Sequence, residues 1–299
     1  MPEIMQATKL PIRIVPLLHV KGNLLVKGVQ LEGLRALGDP AAFAARYYED
    51  SCDELVLVDI VASLYGRNNL GDVLDRTVAE VFVPVSAGGG IRSVEDARRL
   101  LLHGADKVLV NTSAVRRPQL IREIADVVGC QSMVVNIEAK RRSWGYEALT
   151  DNARECSGRN VVDWVQEAVA LGAGEILLCS IDRDGTYQGF DLELIRAVSA
   201  NLPVPLIAAG GCGAPEHVVE AVRAGADAVA ISSLLHYGAL SKVGSTSNQQ
   251  EGNQEFLRGH RGAAKASATI QDIKDALAKA GYRVRLPTAQ AVGAPGTPP

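Results

Sequence analysis

The chain alternates short apolar runs with longer amphipathic segments along most of its length. Eight runs rich in Val, Ile and Leu stand far enough apart for a helix to lie between one run and the next. This alternation is typical of parallel strands joined by crossover helices. The runs begin near Arg13, Leu55, Val83, Lys107, Ser132, Glu175, Val204 and Asp227. Eight strand-helix units close a (β/α)8 barrel, so we expect a closed α/β (TIM) barrel rather than an open sheet.

An internal repeat divides this predicted barrel into two related halves. The segment that begins at Pro84 aligns without gaps on the segment that begins at Pro205, an offset of 121 residues. The offset superposes Gly89 on Gly210, Gly90 on Gly211, Gly104 on Gly225, Asp106 on Asp227, Asn111 on Ser232, Thr112 on Ser233 and Glu54 on Glu175. Self-similarity at a fixed spacing indicates repeated architecture. We therefore expect a barrel with a twofold half-barrel repeat.

Two segments depart from this pattern. Residues from about 239 to 267 are polar, rich in Gly, Ser and Gln, and aperiodic, which predicts a long insertion between the last strand and the last helix. That last helix is expected from about Thr269 to Ala280. Residues 286–299 are rich in Pro and Gly and are expected to form a disordered tail. Residues 1–285 then form a single barrel domain.

Composition and charge exclude several classes of function. Of the 299 residues, 47% are hydrophobic and 22% charged, which fits an ordinary globular protein, and the net charge of −3 lacks the basic excess of a nucleic-acid binder. The five cysteines are widely spaced with no Cys-x-x-Cys pair, which argues against a disulfide framework and a metal site. The first residues lack the charged and then apolar pattern of a signal peptide, and no apolar run is long enough to span a bilayer. We expect a cytoplasmic protein without membrane contact, metal or cofactor.

Glycine turns follow the third and seventh predicted strands. Gly88 to Gly90 and Gly210 to Gly211 let backbone N–H groups approach an anion, and the hydroxyl or amide residues Asn111, Thr112, Ser232 and Ser233 follow the neighbouring strands. A tight turn needs glycine in any case, but the repetition in both halves favours a binding role. Two phosphate cups, one in each half, would suit a substrate phosphorylated at both ends.

Three further groups of polar residues stand at the predicted strand ends. After the sixth strand, Asp184 and Thr186 are candidate substrate contacts, although a solvated loop in which Asp182 pairs with Arg183 is an equal alternative. His19 and Glu138 end the first and fifth strands, and they are the natural acid-base candidates. A single histidine can also be structural.

The opposite end of the barrel carries four charges at the starts of strands. They are Arg13, Glu54, Lys107 and Glu175. Two cations and two anions at an apolar barrel end are expected to pair with one another. From the residues alone the simplest interpretation is a stabilising ion network, because stability is what the N-terminal face of a barrel usually carries.

Several of these motifs together resemble the cyclase subunit family of imidazole glycerol phosphate synthase, a barrel that receives ammonia from a separate glutaminase subunit. The resemblance runs from Arg13 to about Tyr237 and resumes in the last helix. It rests on RIVPLLHVKGNLLVKGV at residue 13, DELVLVDI at 53, AGGGIRSVEDARRLL at 87, GADKVLVNTSAV at 104 and LGAGEILLCSIDRDGT at 171. A set of this length is highly specific.

The resemblance implies a role for most of the candidate residues. The four charges Arg13, Glu54, Lys107 and Glu175 match the family's ammonia gate, and Asp106 matches a residue at the glutaminase interface on the N-terminal face. Phosphate contacts carry over to Gly90, Asn111, Thr112, Asp184, Gly185, Gly211, Ser232 and Ser233, and Lys27 matches a lysine of a mobile loop. A heterodimer with a glutaminase, acting on a phosphorylated small molecule, is the expected assembly.

One departure from the family lies at the reacting centre. The family has aspartates at the two positions that read His19 and Glu138 here. In the family these acids manage protons while ammonia attacks a ribulosyl formimino intermediate (PRFAR) and the imidazole ring closes. The family reaction, giving imidazole glycerol phosphate and the aminoimidazole ribotide AICAR, is the default expectation. The alternatives are a paralogue that amidinates an acetamido sugar for surface polysaccharide (lipopolysaccharide), the upstream isomerase, and a scaffold that only docks a glutaminase.

Overall fold

A closed barrel of eight parallel strands forms the centre of the molecule. The computed structural model describes residues 10–65, 70–243 and 267–285. The strands are β1 (Arg13–Lys21), β2 (Leu24–Val29), β3 (Glu32–Gly38), β4 (Leu55–Asp59), β5 (Val85–Gly88), β6 (Lys107–Val110), β7 (Met133–Arg142), β8 (Gly145–Thr150), β9 (Glu155–Asn160), β10 (Glu175–Ser180), β11 (Leu206–Ala209) and β12 (Ala228–Ile231). The barrel order is β10-β11-β12-β1-β4-β5-β6-β7, and a β7–β10 ladder closes it. All eight predicted strands and the (β/α)8 class are confirmed.

Helices lie between successive barrel strands and cover the outside of the barrel. They are α1 (Pro40–Glu49), α2 (Ala62–Tyr65), α3 (Gly71–Val78), α4 (Val94–Leu102), α5 (Thr112–Arg116), α6 (Gln119–Val128), α7 (Val161–Ala170), α8 (Leu192–Ser199), α9 (Pro215–Ala224), α10 (Ser233–Val243) and α11 (Ile270–Lys279), with a 3-10 turn at Cys130–Ser132. None of the helices in the described ranges is long and apolar enough to cross a bilayer. The helices bury their apolar faces against the outer surfaces of the strands, which gives the largest hydrophobic cluster.

Two antiparallel hairpins extend the barrel at its mouth, and the sequence analysis did not predict them. Strands β2 and β3 follow β1, and strands β8 and β9 follow β7, so each half of the barrel carries one hairpin. Their turns match under the repeat, because Gln30 and Leu31 have φ of 53° and 61°, and Asp151 and Asn152 have φ of 53° and 59°. The repeat therefore extends into segments where the two sequences no longer look alike.

The glycine turns of the two halves are also built alike. Gly89 has φ of 110°, and a Cβ there would lie 2.3 Å from the carbonyl oxygen of Asp59. Gly210 has φ of 92°, and a Cβ there would lie 2.6 Å from the carbonyl oxygen of Ser180. Only glycine fits where a left-handed backbone approaches another main chain this closely. These turns confirm the predicted half-barrel repeat.

The inside of the barrel is filled by alternate residues of the strands. Because side chains alternate between the two faces of a strand, Val15 and Leu17 of β1 point inward, as do Leu109 of β6 and Leu177 of β10. Together with inward residues of the other strands they form an apolar cluster that is separate from the outer core. The same alternation places the first and last inward positions of each strand at the floor and the mouth of the barrel.

The last helix lies in the final described segment, residues 267–285. Helix α11 begins at Ile270, close to its predicted start, and Thr269 and Asp272 form a capping box there. Helix α10 continues to Val243, so the first residues of the predicted insertion are helical, and the remaining insertion residues up to 266 lie outside the described ranges. The predicted tail from residue 286 also lies outside them.

Candidate active site

His19 and Glu138 lie at matching places on opposite strands of the barrel. His19 pairs in register with Val58 of β4, and Glu138 pairs with Cys179 of β10. Val58 and Cys179 are themselves related by the 121-residue repeat, so His19 and Glu138 hold the same position in their two halves. In the eight-stranded order β1 and β7 are four strands apart in either direction. The structure thus brings one titratable group from each half to the mouth, as the sequence predicted.

The His19 imidazole is buried and held in its neutral form. The residue is 6% exposed, and its Nδ1 has no hydrogen-bond partner among the described residues. Burial and the nearby Lys27 ammonium lower the pKa of His19 to about 4, and Asp184 only partly opposes them. At neutral pH this side chain is therefore an uncharged base with a free nitrogen, which is unusual for a histidine with a purely structural role.

The Glu138 carboxyl is buried as well, but its pKa moves in the opposite direction. Burial raises the pKa of Glu138 to about 7, against the lowering effect of hydrogen bonds from the Ala153 backbone and the Asn111 side chain. The Ala153 N–H donates to Oε2 at 2.7 Å. Near neutral pH a large share of this carboxyl is protonated, so Glu138 can donate a proton where His19 can accept one.

Three consecutive left-handed residues deliver that backbone donor to Glu138. Asp151, Asn152 and Ala153 have φ between 53° and 59° in the turn that joins β8 to β9. Asp and Asn tolerate this conformation better than other residues with a side chain, and Ala153 is held in it without such help. Sequence reasoning missed this turn. The Asp-Asn pair at 151 was the available signal, because these residues favour left-handed turns.

A pocket at the mouth contains the predicted first phosphate cup. Its wall is formed by Val58, Asp59, Ile60, Ser63, Gly89, Gly90, Ile91, Leu109, Val110, Asn111, Thr112, Ser113, Asn136, Glu138 and Asn152. Within the described residues the side-chain oxygens of Asn111 and Asn152 are buried without a hydrogen-bond partner. The Thr112 hydroxyl accepts from the Asp151 N–H at 2.9 Å. Gly90, Asn111 and Thr112 are therefore brought together with Glu138, and polar atoms there remain available to a ligand.

The predicted second cup has most of its side chains engaged within the protein. Lys27 Nζ contacts both carboxylate oxygens of Asp184, at 2.9 and 2.8 Å, and both residues are buried. The Ser232 hydroxyl donates to the Leu17 carbonyl at 2.7 Å, and the Thr186 hydroxyl donates to the Arg183 carbonyl at 2.7 Å. The backbone N–H groups of this cup are thus its better candidates for holding a phosphate.

Other predicted contacts of the second cup are positioned by backbone geometry. Gly211 has φ of 101°, and a Cβ there would lie 2.1 Å from the Gly189 carbonyl oxygen. Gly185 has φ of 73° and approaches the Gly28 carbonyl of the first hairpin. Ser233 is buried at the start of α10. The Asp182 carboxylate accepts from the Arg141 backbone N–H at 2.8 Å, so the loop after β10 is tied to the end of β7.

At the floor the four predicted charges form a closed ring of ion pairs. Arg13 contacts Glu54 at 2.8 Å and Glu175 at 2.5 Å, and Lys107 contacts Glu54 at 3.2 Å and Glu175 at 2.8 Å. Each cation therefore touches both anions. Burial alone would lower the pKa of Arg13, but Glu175 and Glu54 outweigh it and raise that pKa. The two cations and two anions thus pair within one ring, which confirms the predicted pairing.

Asp106, the predicted interface residue, has a structural contact of its own. Its carboxylate accepts from the Val85 N–H at 2.8 Å, and its repeat partner Asp227 accepts from the Leu206 N–H at 3.0 Å. Both aspartates thus fix the start of a neighbouring strand. Asp106 is nevertheless exposed at the floor, beside Lys107. A role in partner binding remains a prediction.

A (β/α)8 barrel with opposed titratable groups at the C-terminal mouth defines a TIM-barrel enzyme, because that end is where this fold carries its activity. A family model described as "Histidine biosynthesis protein" matches residues 13–241. Curated relatives named "Imidazole glycerol phosphate synthase subunit HisF" include one from Thermobifida fusca, 50% identical over 238 residues, covering 78% of this chain and 93% of the relative. One from Nocardioides sp. is 43% identical over 284 residues, covering 92% and 99%. The chain belongs to this HisF family of cyclase subunits of imidazole glycerol phosphate synthase.

Proposed function

We propose that this protein is the ammonia-using cyclase of an imidazole glycerol phosphate synthase. It converts PRFAR and ammonia into imidazole glycerol phosphate and AICAR, which is a lyase reaction. The observation that carries the proposal is the arrangement of one barrel with the charge ring of Arg13, Glu54, Lys107 and Glu175 at its floor and His19 opposite Glu138 at its mouth. The names of the relatives, which the chain covers almost completely, support the same reaction.

The strand faces connect the floor with the mouth. On β1, Arg13, Val15, Leu17 and His19 follow one another on the inward face, because they share the period of two. Between the floor and the mouth most inward residues are apolar, and the buried polar side chains of Ser86 and Asn136 are the uncharged exceptions. Ammonia that passes the ring as the neutral molecule would thus move through a largely apolar interior toward the mouth. We propose this as the route of the substrate nitrogen.

The two groups at the mouth divide the proton transfers between them. Ring closure needs a base near the attacking ammonia nitrogen and an acid that protonates the departing amine of AICAR. Neutral His19 is the base, since its pKa of about 4 leaves it unprotonated. Protonated Glu138, with a pKa of about 7, is the acid. The pKa values of the two groups lie about three units apart, which suits complementary roles.

The glutaminase partner docks at the floor. Among the described residues, five exposed large hydrophobic side chains lie at this end, before strands or in the last turns of helices. They are Leu10, Tyr48, Phe82, Leu102 and Val127. Phe82 and Leu102 are 80% and 88% exposed, and the rings of Tyr48 and Phe82 are in contact. Apolar residues rimmed by charges, Asp106 among them, mark a protein-binding surface. The partner would deliver ammonia directly onto the ring.

The reaction has its natural place in the cytoplasm. All five cysteines are free thiols, and three of them are buried. Reduced cysteines are the normal state in that compartment.

The two phosphate cups would hold the two ends of PRFAR, with Gly90, Asn111 and Thr112 at one end and Gly185, Gly211 and Ser233 at the other. Lys27 and Asp184 close the hairpin over the second end.

A single-turnover assay without a glutaminase tests this function. The protein is mixed with PRFAR and excess ammonium salt at about pH 7.5, where some free ammonia and some protonated Glu138 are both present. We expect imidazole glycerol phosphate and AICAR in equal amounts. Glu138→Ala should abolish both products. Glu147→Gln serves as the matched control, because Glu147 is another buried glutamate, paired with Arg142 on the second hairpin.

Two outcomes would contradict the proposal. If the folded protein releases neither product from PRFAR, the chain does not carry the family reaction. If Glu138→Ala and Glu147→Gln lower the rate equally, the carboxyl of Glu138 has no special part in the chemistry. A thermal melt of each variant shows whether the protein is folded in the assay.

A further inference from the structure

The side chain of Lys274 in α11 is buried, and its ammonium is fully engaged. Its ammonium donates to the Ser51 carbonyl at 2.7 Å, to Asp53 Oδ1 at 3.1 Å and to the Arg285 carbonyl at 2.8 Å. Lys274 and Asp53 are 1% and 2% exposed. Three donors thus meet three oxygens, which satisfies an ammonium completely. The sequence analysis gave neither residue a role.

Asp53 connects Lys274 to the main chain beside Arg13 and Glu54, the two residues that form one side of the ring. Its Oδ2 accepts from the Ile14 N–H at 2.8 Å, and its own N–H donates to the Ile14 carbonyl at 3.0 Å. Ile14 follows Arg13, and Asp53 precedes Glu54. The main chain that carries the Arg13–Glu54 ion pair is therefore fastened on both strands by a single carboxylate, and that carboxylate is held by Lys274.

The other half of the barrel has no carboxylate at the position that matches Asp53. The repeat partner of Asp53 is Gly174, whose N–H donates to the Met133 carbonyl at 3.0 Å, just as Asp53 bonds to Ile14. A Cβ at Gly174 would lie 2.0 Å from the Cys130 carbonyl oxygen, so no side chain fits there. The barrel register at this place thus needs only the backbone contact. The Asp53 carboxylate and Lys274 are an addition that is specific to the Arg13–Glu54 side.

Lys274 also contacts Arg285, the last described residue, near the start of β1. Arg285 lies beside the short bridge between Ile12 and Val284, and the Ile12 N–H donates to the Arg283 carbonyl at 2.8 Å. Residues 282–285 therefore run next to the strand that starts with Arg13. A partner that docks on the floor would press on this segment and, through Lys274 and Asp53, on the ring.

We propose that Lys274 and Asp53 are positioning residues for the ammonia gate. They couple residues 282–285, which lie beside the start of β1, to the Arg13–Glu54 side of the ring. This inference rests on the proposed function, because it gives the ring the task of admitting ammonia. It predicts that losing the link harms the use of ammonia from a glutaminase more than the use of ammonia from solution, which reaches the mouth without passing the docked partner.

The test compares two nitrogen sources in the complex with a glutaminase subunit from a HisF-containing synthase. Lys274→Met keeps the length of the side chain and removes the ammonium. We expect its glutamine-driven rate to fall by about tenfold, because a small displacement of the ring far from the reacting centre has a modest effect. Its ammonium-driven rate should stay within about twofold of the unaltered complex. Lys279→Met is the control, because Lys279 is an exposed lysine of the same helix. It should leave both rates unchanged.

Asp53→Asn supplies a second variant in case Lys274→Met does not fold. Asparagine retains an oxygen for the Ile14 N–H but removes the charge that Lys274 faces, so the ratio of the two rates should fall in the same direction. Equal losses with both nitrogen sources in the folded variants, or no loss, would overturn the inference. If the unaltered complex makes no product from PRFAR with either source, the proposed function itself fails. The two failures are thus distinguished by the unaltered protein.

Discussion

The floor and the mouth of this barrel use the same kinds of side chain with opposite results. At the floor two cations and two anions contact one another in a closed ring, and every charge has two partners. At the mouth His19 and Glu138 are equally buried, yet Nδ1 of His19 finds no partner among the described residues, and the pKa values of the two groups move to about 4 and about 7.

The difference shows what pairing does to a buried titratable group. Mutual contact at the floor sets each group against two partners of opposite charge, so the ring can hold a structure. Separation at the mouth leaves burial as the dominant influence, and burial favours the neutral form of both groups. A neutral base and a neutral acid are what proton transfer needs. Substitutions at the two ends should therefore damage different properties.

The largest expected effect is on the rate, from a substitution at the mouth. His19→Asn keeps a polar side chain of similar shape but removes the base, and we expect the single-turnover rate with PRFAR and ammonium to fall by about a thousandfold, a typical loss for a general base. The melting temperature at pH 7 should change little. Rapid-quench measurement of product checks this. A rate within tenfold of the unaltered protein would mean that His19 is not the base.

The floor should respond in the opposite way. Glu175→Gln leaves Arg13 and Lys107 with one anion between them, and removing one partner of a buried ion pair costs about 3 kcal/mol of unfolding free energy. The ammonium-driven rate should stay within a few-fold. Urea denaturation measures the loss. Glu123→Gln breaks the exposed pair with Arg117 and should cost at most about 1 kcal/mol, so similar losses in both variants would contradict a special role for the ring.

A smaller effect is expected on stability, because ionising the buried Glu138 carboxyl destabilises the folded protein. Folding raises the pKa of Glu138 from 4.5 to about 7, so the stability that this group contributes is complete below pH 4.5 and is lost as the pH rises through about 7. Glu138→Gln does not ionise. Its free energy of unfolding, measured by urea denaturation at pH 8, should therefore exceed that of the unaltered protein by about 2 to 3 kcal/mol. At pH 4.5 the difference should be much smaller.

The control for this prediction is again Glu147→Gln, since hydrogen bonds from Gly158 and Arg142 lower the pKa of Glu147 despite its burial. This substitution should destabilise the protein at pH 8 rather than stabilise it. If Glu138→Gln is also destabilising at pH 8, the carboxyl of Glu138 is stably ionised in the folded protein. It could then not serve as the acid.

The sequence predicted the parts of the site that follow from strand ends and from the repeat. The ring residues stand at or just before strand starts, and His19 and Glu138 stand toward the mouth on β1 and β7, so the period of two places them once the eight runs are recognised. The second hairpin could not be placed in this way, because the β8–β9 region has few apolar residues, and the Asp-Asn pair at 151 indicates a left-handed turn without showing that its backbone reaches Glu138. The pairing of Lys27 with Asp184 depends on how the first hairpin folds over the mouth. Lys274 and Asp53, which are 221 positions apart, meet only through the closed barrel.

Close approaches of the main chain form part of the frame around the mouth. A Cβ at Gly89 or Gly210 would collide with the carbonyl oxygen of Asp59 or Ser180. These glycine turns do not involve the side chains of His19 and Glu138. The identities of these two residues can therefore vary while these turns stay the same. A designer who wishes to install a different reaction in this scaffold should begin with positions 19 and 138 and leave the glycines alone.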